Sequence, residues 1–482
     1  MTPTSEHPHL RATLLLCCLA QFMVILDVSV VNVALPSIRN SLHFSEQDLQ
    51  WVVNAYTVTF AGFLLLGGRA ADLLGRRRVF VFGLMLFALA SLAGGLADSK
   101  VLLIAARAVQ GLGGAIVAPA SLSILTTTFE EGPARNRAVG IWGAMGGAGG
   151  AAGVLLGGIL TDVLGWRWIL FINVPIGLIA AVMAQRYIVA GAAKRSERNF
   201  DLAGAISATL GLSLLVLGIV RTDVTGWGSI PTLALIAAGI VLLAAFVAIE
   251  GRFAKAPLMP LRIYASRTLR ASNIVVFMLG AATFPLWFFL SLYLQQVRGY
   301  SPLTAGLAFL PMTLAIVVTS TLVSRGVTRV GAKPLLVAGM ALLAVGLAWF
   351  TQLSPDGSYL GVVLVPSVLA AVGMGMAFVP VVIAAVSGAA PHEAGLASGL
   401  MNTSRLFGGA LGLAILAAVA TAHTNGELRH AVGVHAALTD GFVIAFGLAA
   451  AFAAVGAVTA AVGLPRVSLR AARRQTIAAE GA

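Results

Sequence analysis

Fourteen apolar runs, most of them about 20 residues long, follow one another almost from end to end of this chain, and each is long enough to cross ~30 Å of hydrocarbon as a helix. They fall at roughly 12–36, 51–68, 79–97, 101–126, 138–160, 168–190, 202–220, 232–250, 271–294, 303–323, 334–353, 359–387, 396–420 and 439–463. A membrane barrel would need ~10-residue segments of alternating polarity, and these runs do not alternate. The expected fold class is therefore an all-α polytopic membrane protein with 14 transmembrane helices.

Composition agrees. The 482 residues are 59% hydrophobic and 10% charged, with mean hydropathy +0.95. The 54 glycines would weaken water-soluble helices, whereas in a bilayer small residues let helices approach closely. Cys17 and Cys18 are adjacent in the first run. On a helix neighbours diverge by about 100°, so they read as small apolar fillers rather than a disulfide. That run is too long for a signal-peptide core and lacks a small-x-small cleavage site after it. The strong preference for Arg over Lys and the abundance of Ala and Gly hint at a GC-rich bacterial genome.

The net charge of +13 is topological. With the N-terminus inside, the outside segments hold Arg39, Lys100, Arg167, Arg221, Arg298 and Arg429, and two more, Arg107 and Arg405, lie within runs. Every other one of the 31 Lys and Arg falls in an inside segment or, as Arg186, at the inner end of a run, which is the positive-inside pattern, and an even number of spans puts both termini in the cytoplasm. Nothing here calls for a nucleic-acid partner. Polar stretches near 191–201, 251–270 and 421–438 read as linkers or short surface helices, and the tail after Pro465 is basic and suited to anionic headgroups.

Asp27 is the acidic residue set well inside a span. A carboxylate there costs roughly 2.5–3.5 kcal/mol on insertion scales, so it marks a pathway or a proton carrier. A low-dielectric cavity disfavours the charged form of a carboxylate and can bring proton exchange into a working range. Counting ~1.5 Å per residue, Asp27 lies about 22 Å from the inner edge of the first helix, and Arg107 about 10 Å below the outer edge of the fourth. Equal depth makes Arg107 the natural counter-charge. Arg405 and Asn402, one turn apart on one face, form a polar patch near mid-membrane in the thirteenth span, facing a cavity or bonding a neighbouring helix. His423, His430 and His435 match no standard metal spacing and read as a solvated loop.

An internal echo suggests two like halves. Between spans 2 and 3 the chain reads GRAADLLGRRR (Gly68 to Arg78), and between spans 10 and 11 it reads SRGVTRVGAK (Ser324 to Lys333). Aligning Gly75 with Gly331 pairs Arg69 with Arg325 and Arg77 with Lys333. Transporters built from repeats leave such traces, with the substrate site near the midplane. The expected organisation is a six-helix bundle over 1–200, two inserted helices over 201–252, a second six-helix bundle over 253–463 and a basic cytoplasmic tail over 464–482. Asp72, with Arg69, Arg76 and Arg77, is the candidate cytoplasmic gate, since a carboxylate past the end of span 2 can pair with a basic group or cap a helix start.

These motifs resemble the major facilitator superfamily, and specifically its 14-helix drug:proton antiporter branch. LDVSVVNVALP (Leu26 to Pro36) is similar to that branch's helix-1 signature, GRAADLLGRRR to the superfamily's loop motif, and RAVQGLGGA (Arg107 to Ala115) to its helix-4 motif. WRWILFINVPIG (Trp166 to Gly177), YLQQVRGYSPLTAGLAFLP (Tyr293 to Pro311) and HEAGLASGLMNTSRLFGGALG (His392 to Gly412) resemble blocks of the 14-helix branch. The resemblance implies two six-helix bundles plus two extra helices, a role for Arg107 in proton coupling with Asp27, and a cavity to which Asp27, Asn32, Arg405 and Asn402 contribute. It also implies export of small amphipathic molecules, cationic or zwitterionic, in exchange for protons, by a monomer in a bacterial plasma membrane surrounded by lipid. The helix-5 motif departs from the branch: GVLLGG (Gly153 to Gly158) keeps Gly153, Gly157 and Gly158 but has Val154 where Pro is usual. Gly143, Gly146, Gly150, Gly153 and Gly157 still form a small-residue stripe suited to close packing, while any Pro-based kink against leak is in doubt.

Two other readings stay open: a translocator of lipids or lipid-like molecules on the same fold, and a facilitator uncoupled from protons. No nucleotide loop, H-E-x-x-H or credible triad points to an enzyme, and no cofactor is expected.

Overall fold

The computed structural model describes residues 8–130, 133–189, 201–253, 257, 259, 261–387, 394–430 and 433–465. Fourteen helices are long and apolar enough to cross a membrane, and no strand occurs among the described residues. They are α1 (Pro8–Leu42), α2 (Glu46–Leu74), α3 (Arg76–Gly95), α4 (Lys100–Thr128) and α5 (Pro133–Val163), then α6 (Trp168–Tyr187). After these come α7 (Leu202–Val220), α8 (Ile230–Ala248), α9 (Arg267–Leu292), α10 (Pro302–Val330) and α11 (Ala332–Trp349). The last three are α12 (Val365–Ser387), α13 (Ala394–Arg429) and α14 (Val434–Gly463).

Local chemistry explains the boundaries. Ser45, Ser99, Ser229 and Ser266 cap α2, α4, α8 and α9 by accepting from the backbone N–H three residues on, and Asp201 does the same for α7. Gly75 and Gly331, aligned in the sequence echo, both precede their next helix with positive φ, 97° and 92°. Only glycine adopts that backbone without a Cβ penalty, so both loops turn in the same way. Inside α6 the helix breaks at Ile172 between Trp168–Phe171 and Asn173–Tyr187. Pro175 sits in the first turn after the break, and its missing N–H and ring clash account for it.

The chain divides into two compact units, Met1–Leu258 with Leu294–Leu310, and Met259–Tyr293 with Pro311–Ala482. In the first, α1 packs on α5, α4 and α6, α3 packs on α4 and α6, and α2 packs on α4 and on α7, which carries α8. In the second, α9 packs on α13 and α14, and α11 packs on α12 and α14. The pairs α1–α5, α3–α4, α3–α6 and α1–α6 thus have counterparts in α9–α13, α11–α12, α11–α14 and α9–α14.

Close approach rests on glycine. Along α5, Gly149, Gly153 and Gly157 meet the main chain of α1, where an added Cβ would lie 2.8–2.9 Å from the carbonyl oxygens of Phe22, Leu26 and Val30. The contact therefore repeats every four residues, and Gly143 of the expected stripe has nothing within 4 Å. Gly158 turns the other way, against the main chain of Pro302 and Leu303. Gly280, Gly408 and Gly412 play the corresponding part between α9 and α13. In a bilayer such van der Waals contact replaces the hydrophobic drive between helices. Helix α8 is largely exposed, with Leu233, Ile240, Val241 and Val247 turned outward.

Candidate polar site in the membrane-spanning helices

The first unit holds a sealed polar cluster. Asp27 of α1 and Arg107 of α4 are 0% and 2% exposed, and Arg107 Nη1 donates to Asp27 Oδ2 at 2.5 Å. The other carboxylate oxygen, Oδ1, accepts from Gln110 Nε2 at 2.7 Å and from Asn173 Nδ2 at 2.8 Å. Arg107 Nη1 also donates to Gln110 Oε1 at 2.7 Å, and its Nε donates to the Val52 carbonyl of α2 at 3.0 Å. Behind the amides, Ser91 of α3 accepts from Gln110 and Asn173 at 3.1 Å each and donates to the Leu170 carbonyl at 2.8 Å. The Arg107 guanidinium sits 4.5 Å from the Tyr56 ring centroid, close enough for a cation–π contact.

Four helices, α1, α3, α4 and α6, thus meet around one carboxylate, and α2 braces its counter-charge. An ionised carboxylate only accepts hydrogen bonds, and here each of its partners is a donor. Adding a proton to Asp27 removes the charge that Arg107 compensates and sets an O–H among donors.

Of the residues expected from the sequence, Asp27 and Arg107 meet directly. Asn32 lies further along α1, half-buried, with Nδ2 donating to the Val28 carbonyl at 2.9 Å. In the second unit, Arg405 Nη2 of α13 donates to Asn402 Oδ1 at 3.0 Å. The Arg405 guanidinium lies 5.9 Å from the Phe284 centroid of α9 and 5.7 Å from that of Phe378 of α12.

The gate residues are placed unevenly. Arg76 Nε donates to Ser123 Oγ of α4 at 2.6 Å, and Arg77 Nη1 donates to the carbonyls of Gln185 and Ile188 at the end of α6, at 3.3 Å each. Arg69 is half-buried in α2. Asp72 lies within α2 rather than past its end, and its side chain is outside the described residues. In the second unit, Lys333, aligned with Arg77, donates to the Leu464 carbonyl at the end of α14 at 2.7 Å. A cation at a helix C-terminus satisfies orphan carbonyls and complements the dipole, so both loops fasten the last helix of their own half.

Sequence reasoning passed over Gln110, Asn173, Ser91 and Tyr56. Gln110 carries a legible signal, since it lies three residues after Arg107 and so on the same face.

A family model described as Major Facilitator Superfamily matches residues 17–413, which include Asp27, Ser91, Arg107, Gln110, Asn173 and Arg405. The chain belongs to the major facilitator superfamily. It is 47% identical over 427 residues to the cephamycin export protein CmcT of Amycolatopsis lactamdurans, covering 88% of each chain. It is 40% identical to the puromycin resistance protein pur8 of Streptomyces alboniger, covering 90% of this chain and 86% of that one. It is 34% identical to the lincomycin resistance protein of Streptomyces lincolnensis, covering 96% and 93%. Among solved structures, a bacterial homolog of the human lysosomal transporter Spinster, inward-facing and unoccupied, superposes with TM-score 0.67 at 17% identity, covering 96% and 100%. The inward-open xylose transporter XylE from E. coli gives 0.65 at 13%, covering 96% and 98%. As a major facilitator protein the chain is a multi-pass membrane transporter of small molecules, not an enzyme.

Proposed function

We propose that this transporter exports small amphipathic molecules, cationic or zwitterionic and of the antibiotic kind, across a bacterial plasma membrane in exchange for protons. The observation that carries this reading is the buried Asp27–Arg107 pair at 2.5 Å, an ionisable switch inside the helices of a major facilitator protein. The antibiotic-export and resistance relatives support the class of cargo.

Asp27 takes a proton arriving from outside, Arg107 loses its partner, and the α1–α4–α6 junction loosens as the protein turns towards release. Loss of the proton inwards restores the pair. The two units, each with the same helix pairings, act as the moving halves of alternating access, with α7 and α8 as an insertion in the chain. Both termini face the cytoplasm, a reading that the distribution of Lys and Arg supports, and Asp72 with the loop arginines closes the cytoplasmic side.

The test is uptake of ethidium into everted membrane vesicles with an imposed pH gradient. Wild-type protein should accumulate dye, and an uncoupler or Asp27→Asn should abolish accumulation at equal protein in the membrane. Equal accumulation by Asp27→Asn at equal expression would reject Asp27 as the coupling residue.

A further inference from the structure

We infer that Arg405, with Asn402, Phe284 and Phe378, is a receptor for an acidic group on an amphipathic aromatic ligand. The inference rests on the export reading and deepens it: among the cargo admitted there, it selects zwitterionic molecules carrying a carboxylate.

Arg107 and Arg405 both lie well inside spans, and the structure treats them differently. Arg107 is sealed and neutralised by Asp27. Arg405 is half-buried, and among the described residues no carboxylate comes within salt-bridge distance of it. A cation at that depth demands a partner or a wet cavity, and the second unit supplies neither an Asp nor a Glu to it among the described residues.

The surroundings are donors and aromatic faces. A guanidinium carries several N–H donors in a planar fork and no acceptor, and among the described residues Arg405 donates to one side-chain partner, Asn402 Oδ1. That bond uses the amide's acceptor and leaves its NH₂ as a donor beside the guanidinium. Phe284 and Phe378 lie within 6 Å of the guanidinium on two other helices, and Phe378 keeps 46% of its surface open. The arrangement is rigidly backed, because Gly280 of α9 meets the main chain of Arg405 where any Cβ would collide. Donors left without an acceptor specify an anion, a planar fork matches a carboxylate or phosphate, and flanking rings specify a flat apolar body.

A drug carboxylate and a lipid phosphate share this chemistry. The experiment is equilibrium binding of tritiated ampicillin, an aromatic amphipath with one ammonium and one carboxylate, to the purified full-length protein in detergent, with its methyl ester and phosphatidylglycerol as competitors. The ester should compete at least tenfold more weakly than the acid. Arg405→Gln should lose binding at least tenfold, and Arg405→Lys should recover part of it, while both variants remain monodisperse. Competition by phosphatidylglycerol that disappears in Arg405→Gln would support the anion site with lipid as its occupant. No binding of either ligand, equal binding of acid and ester, or equal binding by wild type and Arg405→Gln would overturn the inference. Because the assay needs neither export nor a gradient, a protein that binds but does not export sinks the export reading alone. One that exports but shows no charge-selective binding sinks this inference alone.

Discussion

Gln110 and Asn173, from α4 and α6, donate to the same oxygen of Asp27 at 2.7 and 2.8 Å, and both also donate to Ser91 at 3.1 Å. One carboxylate oxygen is therefore held by amides and the other by Arg107. Neither amide carries charge, so their part is to fix where Asp27 points.

Replacing Gln110 or Asn173 with Ala should each remove one donor from a buried carboxylate, a loss of roughly 1–3 kcal/mol for groups of this kind. Since both bond Asp27, the double variant should depart from additivity, and the departure should shrink in an Asp27→Asn background. Thermal midpoints of the purified single and double variants check this, and strict additivity in both backgrounds would count against a shared network.

Gly153→Ala should strain the α1–α5 contact, because its Cβ would meet Ser29 Cβ at 2.6 Å and the Leu26 carbonyl at 2.9 Å. Overpacking of this kind costs typically about 1–3 kcal/mol. Gly143→Ala, in open space, should be close to silent. Comparing melting of the two variants tests the register of the stripe, and equal damage at both positions would contradict it.

Arg77→Gln and Lys333→Gln should each weaken the end of the last helix in their own unit by about 0.3–1 kcal/mol, the usual scale for a cation near a helix C-terminus. Hydrogen exchange read at the ends of α6 and α14 should rise locally, near Ile188 for the first and near Leu464 for the second. Exchange unchanged at those ends would mean the contacts contribute nothing in solution.

Much of this was legible in the sequence, for identifiable reasons. Apolar length marks a span independently of tertiary contacts, so fourteen helices could be counted in advance. Depth counting paired Asp27 with Arg107 because both charges stand alone in hydrocarbon, and helical spacing paired Asn402 with Arg405. Asn173 could not be placed, since an amide in an apolar run carries no mark of which helix it faces, and the break at Ile172 that presents it is a consequence of Pro175. Charge alone marks the basic loops as a candidate gate. The carbonyls that Arg77 and Lys333 reach, at Ile188 and Leu464, are backbone groups distant in the chain, invisible to any pattern of side chains.

If Asp27 itself gains and loses the coupled proton, infrared difference spectroscopy of the purified protein between alkaline and acidic buffer will register it without reference to any cargo. A protonated-carboxyl band should grow on acidification in wild type and be missing in Asp27→Asn, with the protein otherwise folded. An identical carboxyl difference spectrum in wild type and Asp27→Asn would contradict it.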